Sequence, residues 1–425
     1  MRYQRLKGTT DILPDKIQQW DYLLSTVGEI YRTYAYQRID VPIFEKTELF
    51  TRSIGDVTDI VQKEMYTFED NGKRSLTLRP EGTASVVRAY LENNLHQQGG
   101  IEKLFYFGPM FRAERPQKGR YRQFHQFGSE AIGSTDRLLD AELIAMNMRL
   151  LHLLGFTDLQ LAINTLGNIQ CRERYNTELR KYFLKHDTIL TNEEKDRAER
   201  NPLRLLDSKN PKLAEIIAQA PTSIDILDAE SKEYWQELLS LLTELNISFT
   251  INHQLVRGLD YYTHMVFEIR TDALGAQNAV GGGGRYDHLI EELGGKPTPA
   301  VGAAFGIERL LLLKETYDIN WHYDEPLRIF FSVWDSSVRR EYLDLIEQLR
   351  SAGIIINTDY EKRSLKSQMK LADKFGAHYV LIAGEEEHIK GELLLRDMRA
   401  GEQIQMTPAA LIKRFTGTME AMNND

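Results

Sequence analysis

The sequence predicts an α+β fold in two parts, and three features carry that reading. Apolar, alternating segments recur between helical stretches over residues 1–325. A charged, helix-forming stretch with few strand signals interrupts them from about 170 to 245, and strands alternate with helices over 326–425. The first two patterns describe one α+β domain with a helical insertion. The third describes βαβ units and a partly parallel sheet. At about 150 residues per domain, a chain of 425 residues holds two to three domains.

Each element has its own signal. Residues 10–36 read as a helix: Thr10 and Asp11 offer cap oxygens, and Trp20, Leu23, Leu24, Val27, Ile30 and Tyr31 recur at helical spacing. Arg38–Ile43 alternates and contains Pro42, as a strand at a sheet edge does. Further strands are expected at 75–78, 104–112, 124–130, 266–269 and 300–305, with helices at 81–95, 136–154 and 306–317. Cys171-Arg-Glu-Arg and Asn192-Glu-Glu-Lys-Asp-Arg-Ala-Glu-Arg mark the insertion. After Asp324-Glu-Pro326 the rhythm changes. A strand at 327–334, a helix at 336–351, strand residues from Ile354, a helix at 364–375 and a strand from Tyr379 follow one another.

Composition narrows the class. An apolar content of 42% with 27% charged residues is that of a soluble globular protein. No apolar run approaches the ~20 residues that span a bilayer, and the first residues lack a hydrophobic signal core. These features imply a cytoplasmic protein without a membrane partner. The single cysteine, Cys171, excludes a disulfide framework and a Cys-rich metal site, and no metal-ligating residues are assigned. The 53 Lys+Arg against 62 Asp+Glu leave a net charge of −9, which argues against sequence-blind adhesion to polyanions. Local patches differ: residues 112–122 hold five basic side chains and one acid, and 361–374 five and two. Phosphate contact depends on such patches and not on the total.

Five segments carry candidate chemistry. Phe111–Glu130 reads as a long hairpin around a Pro/Gly loop, with Arg112, Arg115, Lys118, Arg120 and Arg122 against Glu114. Arg112 and Glu114, two apart, share a face; the guanidinium can fork onto phosphate, and Phe124 can lie under an aromatic ring. His125, between Phe124 and Gln126, should face the other way. Arg79-Pro-Glu-Gly-Thr-Ala sets Glu81 and Thr83 at a strand-to-helix turn, suited to an amino acid's charged groups or simply to a helix cap. Leu255-Val-Arg-Gly-Leu-Asp-Tyr-Tyr embeds Arg257 in an apolar stretch, so it either pairs internally with Asp260 or lines a cleft. Tyr261 and Tyr262 point apart, so at most one need be core. Val280-Gly-Gly-Gly-Gly-Arg-Tyr-Asp287 lets backbone approach a ligand or turn, but it is not a P-loop. Pro299–Leu310 runs from a small-residue strand into a helix whose first turn carries Arg309, beside the positive helix end.

In this order the segments resemble the class II aminoacyl-tRNA synthetases, and within them the histidine-specific family. Tyr36–Phe50 resembles motif 1, Phe111–Glu130 motif 2 and Ala300–Leu311 motif 3. Leu255-Val-Arg-Gly-Leu-Asp-Tyr-Tyr and Gly282-Gly-Gly-Arg-Tyr-Asp resemble the signatures specific for histidine. The resemblance implies an antiparallel-sheet catalytic domain over 1–325 and a C-terminal α/β anticodon-binding domain over 326–425. It implies a homodimer joined through motif 1, and activation of L-histidine by ATP with Mg2+ before transfer to tRNA(His). On this reading Arg112 grips the α-phosphate, Arg309 the γ-phosphate, and Arg257 steadies the reacting α-phosphorus. Phe124 stacks on adenine beside Glu114. Glu81, Gly82 and Thr83 hold the α-amino group, Gln126 sits by the carboxylate, and Tyr286 lines the pocket. Glu130, Tyr262 and Tyr261 take the imidazole. Arg115, Gln117 and Lys118 meet the tRNA. A regulatory paralogue that keeps the fold and senses histidine is the competing reading; such relatives usually lack the tail and part of the arginine set, all present here.

Overall fold

The first helix is Pro14–Thr33, starting later than Thr10 because Pro14 presets the first turn and Asp15 sits at the helix's positive end. The computed structural model describes residues 3–55, 58–97, 99–208, 210–321, 326–361 and 363–422. Asp324 and Lys362, used above for the domain boundary and the second basic patch, lie outside the described residues.

Two compact units emerge, Met1–Trp321 and His322–Asp425. In the first, an eight-stranded sheet carries the site. Its strands are β1 (Gln37–Arg38), β5 (Glu102–Phe111), β6 (Gln123–Ile132), β7 (Gln160–Thr165), β8 (Phe249–Ile251), β9 (Thr263–Arg270), β10 (Ala279–Arg285) and β11 (Ala300–Gly306), in the order β1-β5-β6-β11-β10-β9-β7-β8. Pairing is antiparallel except at the two edges, β1 with β5 and β7 with β8. The whole helical insertion separates β7 from β8, the long connection a parallel pair needs. A small sheet of β2 (Phe44–Lys46), β3 (Tyr66–Glu69) and β4 (Ser75–Leu78) lies between β1 and β5 in the chain.

The strand expected over 38–43 is shorter than the alternation suggests. Only Gln37 and Arg38 pair. Pro42 brings no N–H, while Val41 O accepts from Arg79 Nη1 (2.9 Å) and Ile43 O from Arg79 N (2.9 Å), so side chain and loop replace the ladder. The helix expected from 81 begins at Thr83, because the Glu81 carboxylate accepts from the N–H groups of Thr83 (2.6 Å) and Ala84 (2.9 Å).

The three longest helices of the insertion are capped at their starts. Asn168 accepts from Cys171 N, Thr191 and Glu194 form a capping box, and Asp228 accepts from Ser231 N. Its apolar face is shared with the pocket. Tyr175, Leu179, Leu203 and Leu206 belong to the same buried cluster as Tyr261, Tyr262 and Tyr286.

In the second unit, β12 (Arg328–Val333), β13 (Ile355–Thr358), β14 (Tyr379–Ala383), β15 (Leu393–Asp397) and β16 (Gln403–Met406) order as β13-β12-β14-β15-β16. The first three are parallel, and a closing antiparallel hairpin, not foreseen in the sequence, adds the rest. The expected helix at 336–351 opens as a tighter 3₁₀ turn, Val338–Tyr342, before Leu343–Ser351.

Candidate functional site

The centre of the sheet supplies a polar floor inside an apolar wall. Glu130 on β6 is fully buried. It faces Gly302 on β11, where a Cβ would stand 1.7 Å from Glu130 Oε2, so glycine alone leaves room for the carboxylate. Thr83 Oγ1 donates to Glu130 Oε1 (2.8 Å) and the Tyr286 hydroxyl to Oε2 (2.5 Å), with the Tyr106 hydroxyl at 3.5 Å. Even so, burial dominates and pushes the Glu130 carboxyl up to about 8. Burial also raises Glu81. A cavity of about 60 Å³ opens beside this floor, lined by Glu81, Thr83, Gln126, Arg257, Tyr261 and Tyr262 among others. Gly82 belongs to the same lining: a Cβ there would fall 2.2 Å from the Tyr106 ring.

A larger cavity of about 330 Å³ shares Arg112, Gln126 and Arg257 with the first. Arg112 reaches it from the end of β5, anchored by Nε to Pro80 O (2.9 Å) and lying 5.3 Å from the Phe124 ring centre. Glu114 stands between Arg112 (3.8 Å) and Arg120 (2.9 Å). Arg309 crosses from its helix to the Gly119 and Ala279 carbonyls. Burial lowers its affinity for a proton, and the Arg120 charge adds to that. Four arginines line this cleft together with Glu114, Asp207, Glu268 and Glu308, so the guanidinium groups are held in place by carboxylates and by backbone carbonyls and can be presented to a polyphosphate.

Arg257 lines the cleft and pairs with Glu268 Oε1 (2.8 Å); the alternative partner, Asp260, instead accepts from Asn201 and Arg204. Tyr261 and Tyr262 are both buried, their ring centres 4.7 Å apart, because each closes part of the pocket. His125 does face away: it packs edge-on against Trp20, and its Nδ1 is 2.8 Å from Glu308. The glycine run is strand and not turn. Gly281–Gly284 pair with β9 and β11, and the missing side chain at Gly282 makes space for Arg257. Arg115, Gln117 and Lys118 are exposed on the hairpin loop, apart from the buried pocket.

A family model described as histidyl-tRNA synthetase matches residues 8–310, and one described as an anticodon binding domain matches 329–418. The chain belongs to the histidyl-tRNA synthetase family. It is 48% identical over 408 residues to the histidine–tRNA ligase of Desulforamulus reducens, covering 96% of this chain and 97% of that one. It is 49% identical over 399 residues to the Pelotomaculum thermopropionicum enzyme, covering 94% of each. The apo Staphylococcus aureus histidyl-tRNA synthetase superposes with a TM-score of 0.83 at 37% identity, over 97% of this chain and 100% of that one. A Bacillus halodurans chain titled as an ATP phosphoribosyltransferase regulatory subunit/histidyl-tRNA synthetase shares the fold at 21% identity and a TM-score of 0.64.

The site contains residues to which the sequence reading gave no role there. Tyr106 closes the floor, Arg120 completes the bracket on Glu114, and Glu268 holds Arg257 while its second oxygen takes Arg270 Nε at 2.5 Å. A signal for Glu268 exists: Glu268 and Arg270 alternate with the buried Phe267 and Ile269, so two opposite charges share the cleft face of one strand.

Proposed function

We infer that the chain charges tRNA(His): it activates L-histidine with ATP to histidyl-adenylate and passes the histidyl group to the tRNA 3′ end. The observation that carries the residue assignments is the junction of the two cavities. There the buried Nε of Arg257 and Oε1 of Gln126 have no hydrogen-bond partner among the described residues, next to a carboxylate–hydroxyl floor. A ligand with an imidazole, a carboxylate and a bound phosphate completes such a set. In this reading Glu130 takes the ring, Glu81 and Thr83 the amino group, and Gln126 the carboxylate. Tyr261, Tyr262 and Tyr286 enclose them. Phe124 carries adenine beside Glu114, Arg112 the α-phosphate and Arg309 the γ-phosphate.

Magnesium supplies charge screening for the β- and γ-phosphates when bound. Glu114 and Glu268 line the nucleotide cavity, and one or two carboxylates with substrate phosphates is how magnesium is usually held. Arg115, Gln117 and Lys118 meet the tRNA from the exposed hairpin loop. The test is histidine-dependent exchange of pyrophosphate into ATP, then aminoacylation of a tRNA(His) transcript. Binding of histidine without exchange would return the chain to the regulatory reading. Alanine at Lys118 should raise KM for tRNA several-fold and leave exchange unchanged; an unchanged KM removes it from the tRNA surface.

Assembly as a homodimer fits the small sheet. The registers Phe44↔Leu78↔Tyr66 and Lys46↔Leu76↔Phe68 place five apolar side chains on one face, with Phe44 49% and Phe68 45% exposed. The opposite face holds the buried Thr77, hydrogen-bonded to Thr67 and to Thr47. An exposed apolar sheet face is what a self-complementary contact covers. Phe44→Glu with Phe68→Glu should shift the sedimentation coefficient from dimer to monomer at micromolar protein. A doubly substituted chain that sediments as the unsubstituted dimer does would place the interface elsewhere. No helix among the described residues is long and apolar enough to cross a membrane, and a cytoplasmic location suits the substrates.

A further inference from the structure

The pocket loop from Leu255 to Tyr262 has neither helix nor strand, yet it delivers Arg257, Tyr261 and Tyr262 to the site. Its shape therefore depends on what grips it. The start is held from β7, where Asn164 Nδ2 donates to the His253 (3.3 Å) and Leu255 (3.1 Å) carbonyls. The end is held almost wholly by the helical insertion. Arg172 Nη1 donates to both the Asp260 carbonyl (2.5 Å) and the Tyr262 carbonyl (3.2 Å), which straddle Tyr261. The Asp260 carboxylate takes Asn201 Nδ2 at 3.1 and 3.0 Å and Arg204 Nη2 at 3.0 Å. Its own N–H goes to Ile54 O (3.1 Å).

Three insertion side chains thus converge on one loop residue. The apolar packing follows the same route, since Leu203, Leu205 and Leu206 share a buried cluster with Tyr261 and Tyr262. Arg204 and Asn201 do not line the small cavity and have no place in the chemistry. Burial lowers the affinity of Arg172 for a proton, the cost of keeping a guanidinium under the loop.

We propose that Asn201, Arg204 and Arg172 are positioning residues for histidine: acting through Asp260, the insertion sets Tyr261 and Tyr262, and histidine in turn fixes the insertion. Coupling between two sites is reciprocal, so each half of the statement requires the other. The proposal rests on the histidine pocket assigned above, and the controls keep the two apart.

Arg204→Ala is the test, because Arg204 is partly exposed and its loss leaves Asn201 and Arg172 on the loop. In pyrophosphate exchange KM for histidine should rise about 5–20-fold while KM for ATP changes less than twofold. Arg204→Lys should recover part of the loss. A purely structural role would move both constants together or only the melting temperature. Amide hydrogen exchange gives the reciprocal reading: histidine should slow exchange over residues 192–208 in the unsubstituted protein and much less in Arg204→Ala. Should the unsubstituted protein fail to bind histidine, the pocket assignment falls. Should it bind, with Arg204→Ala showing the same histidine KM and the same protection, the pocket stands and the coupling is overturned.

Discussion

Alanine in place of Arg257 lowers the maximal rate of histidine-dependent pyrophosphate exchange by about 10²–10³-fold, the usual cost of deleting one preorganised charge donor. The Kd for histidine moves far less. In the adenylation step a histidine carboxylate oxygen attacks the α-phosphorus, the bond to the bridging oxygen breaks, and pyrophosphate leaves with the electron pair. Charge therefore builds where the two cavities meet, and Arg257 lines both. Its guanidinium is fixed before substrate arrives: Nη1 lies on Glu268, and Glu268 is itself held by Arg270. The Nε is buried with no hydrogen-bond partner among the described residues. Arg257→Lys should recover little, because a point charge on a flexible stem cannot keep Glu268 and serve phosphate together. Exchange kinetics with calorimetric histidine binding check this. Equal losses in rate and affinity would make Arg257 a binding residue instead.

Residues with short-range logic were legible in the sequence, and those that depend on distant partners were not. Arg112 and Glu114 do approach each other, at 3.8 Å, but past the end of β5 and not on a strand face; on β6 the two-residue period does turn His125 away. Glu81 before a helix could be read as cap or ligand; the structure shows the cap, with both carboxylate oxygens accepting from backbone N–H groups. Asp260, near in sequence, was the alternative to a cleft for Arg257. Its carboxylate goes to the insertion, a segment that composition marks as helical without saying what it touches. Glu268 was missed for the converse reason: it lies 11 residues from Arg257 and meets it only because β9 passes under the loop. The strand at 38–43 failed because Arg79, 38 residues from Val41, takes that carbonyl. Periodicity reports which face a residue occupies; it does not report which long-range polar group will reach it.

Glutamine in place of Glu130 weakens histidine binding by about 10–100-fold, the worth of one charged hydrogen bond, and alanine by about 10³-fold, since Thr83, Tyr286 and the ring then lack a partner. The pH dependence is the sharper test. In the free protein Glu130 keeps its proton to about pH 8, whereas an unperturbed imidazole takes one only below about 6.5. If the complex is a carboxylate–imidazolium pair, binding between these values moves a proton from Glu130 to the ring with no net exchange, and Kd is flat. Above pH 8 the free carboxyl is already ionised and the ring neutral, so one proton must be taken up and Kd rises. Below about 6.5 both groups are protonated in the free state, one proton is released on binding, and Kd rises again. The α-amino group of histidine titrates alike with either protein, so the ratio of Kd values for Glu130→Gln and the unsubstituted chain isolates the carboxyl. Stability obeys the same constants. The folded carboxyl holds its proton above its unfolded value of about 4.3, so the ligand-free protein loses stability as pH rises from there to about 8. Glu130→Gln removes that slope and should melt higher at pH 8 while binding histidine worse. Calorimetry at pH 8.5 in buffers of different ionisation enthalpy counts the proton directly. Equal uptake by both proteins would take Glu130 away from the imidazole.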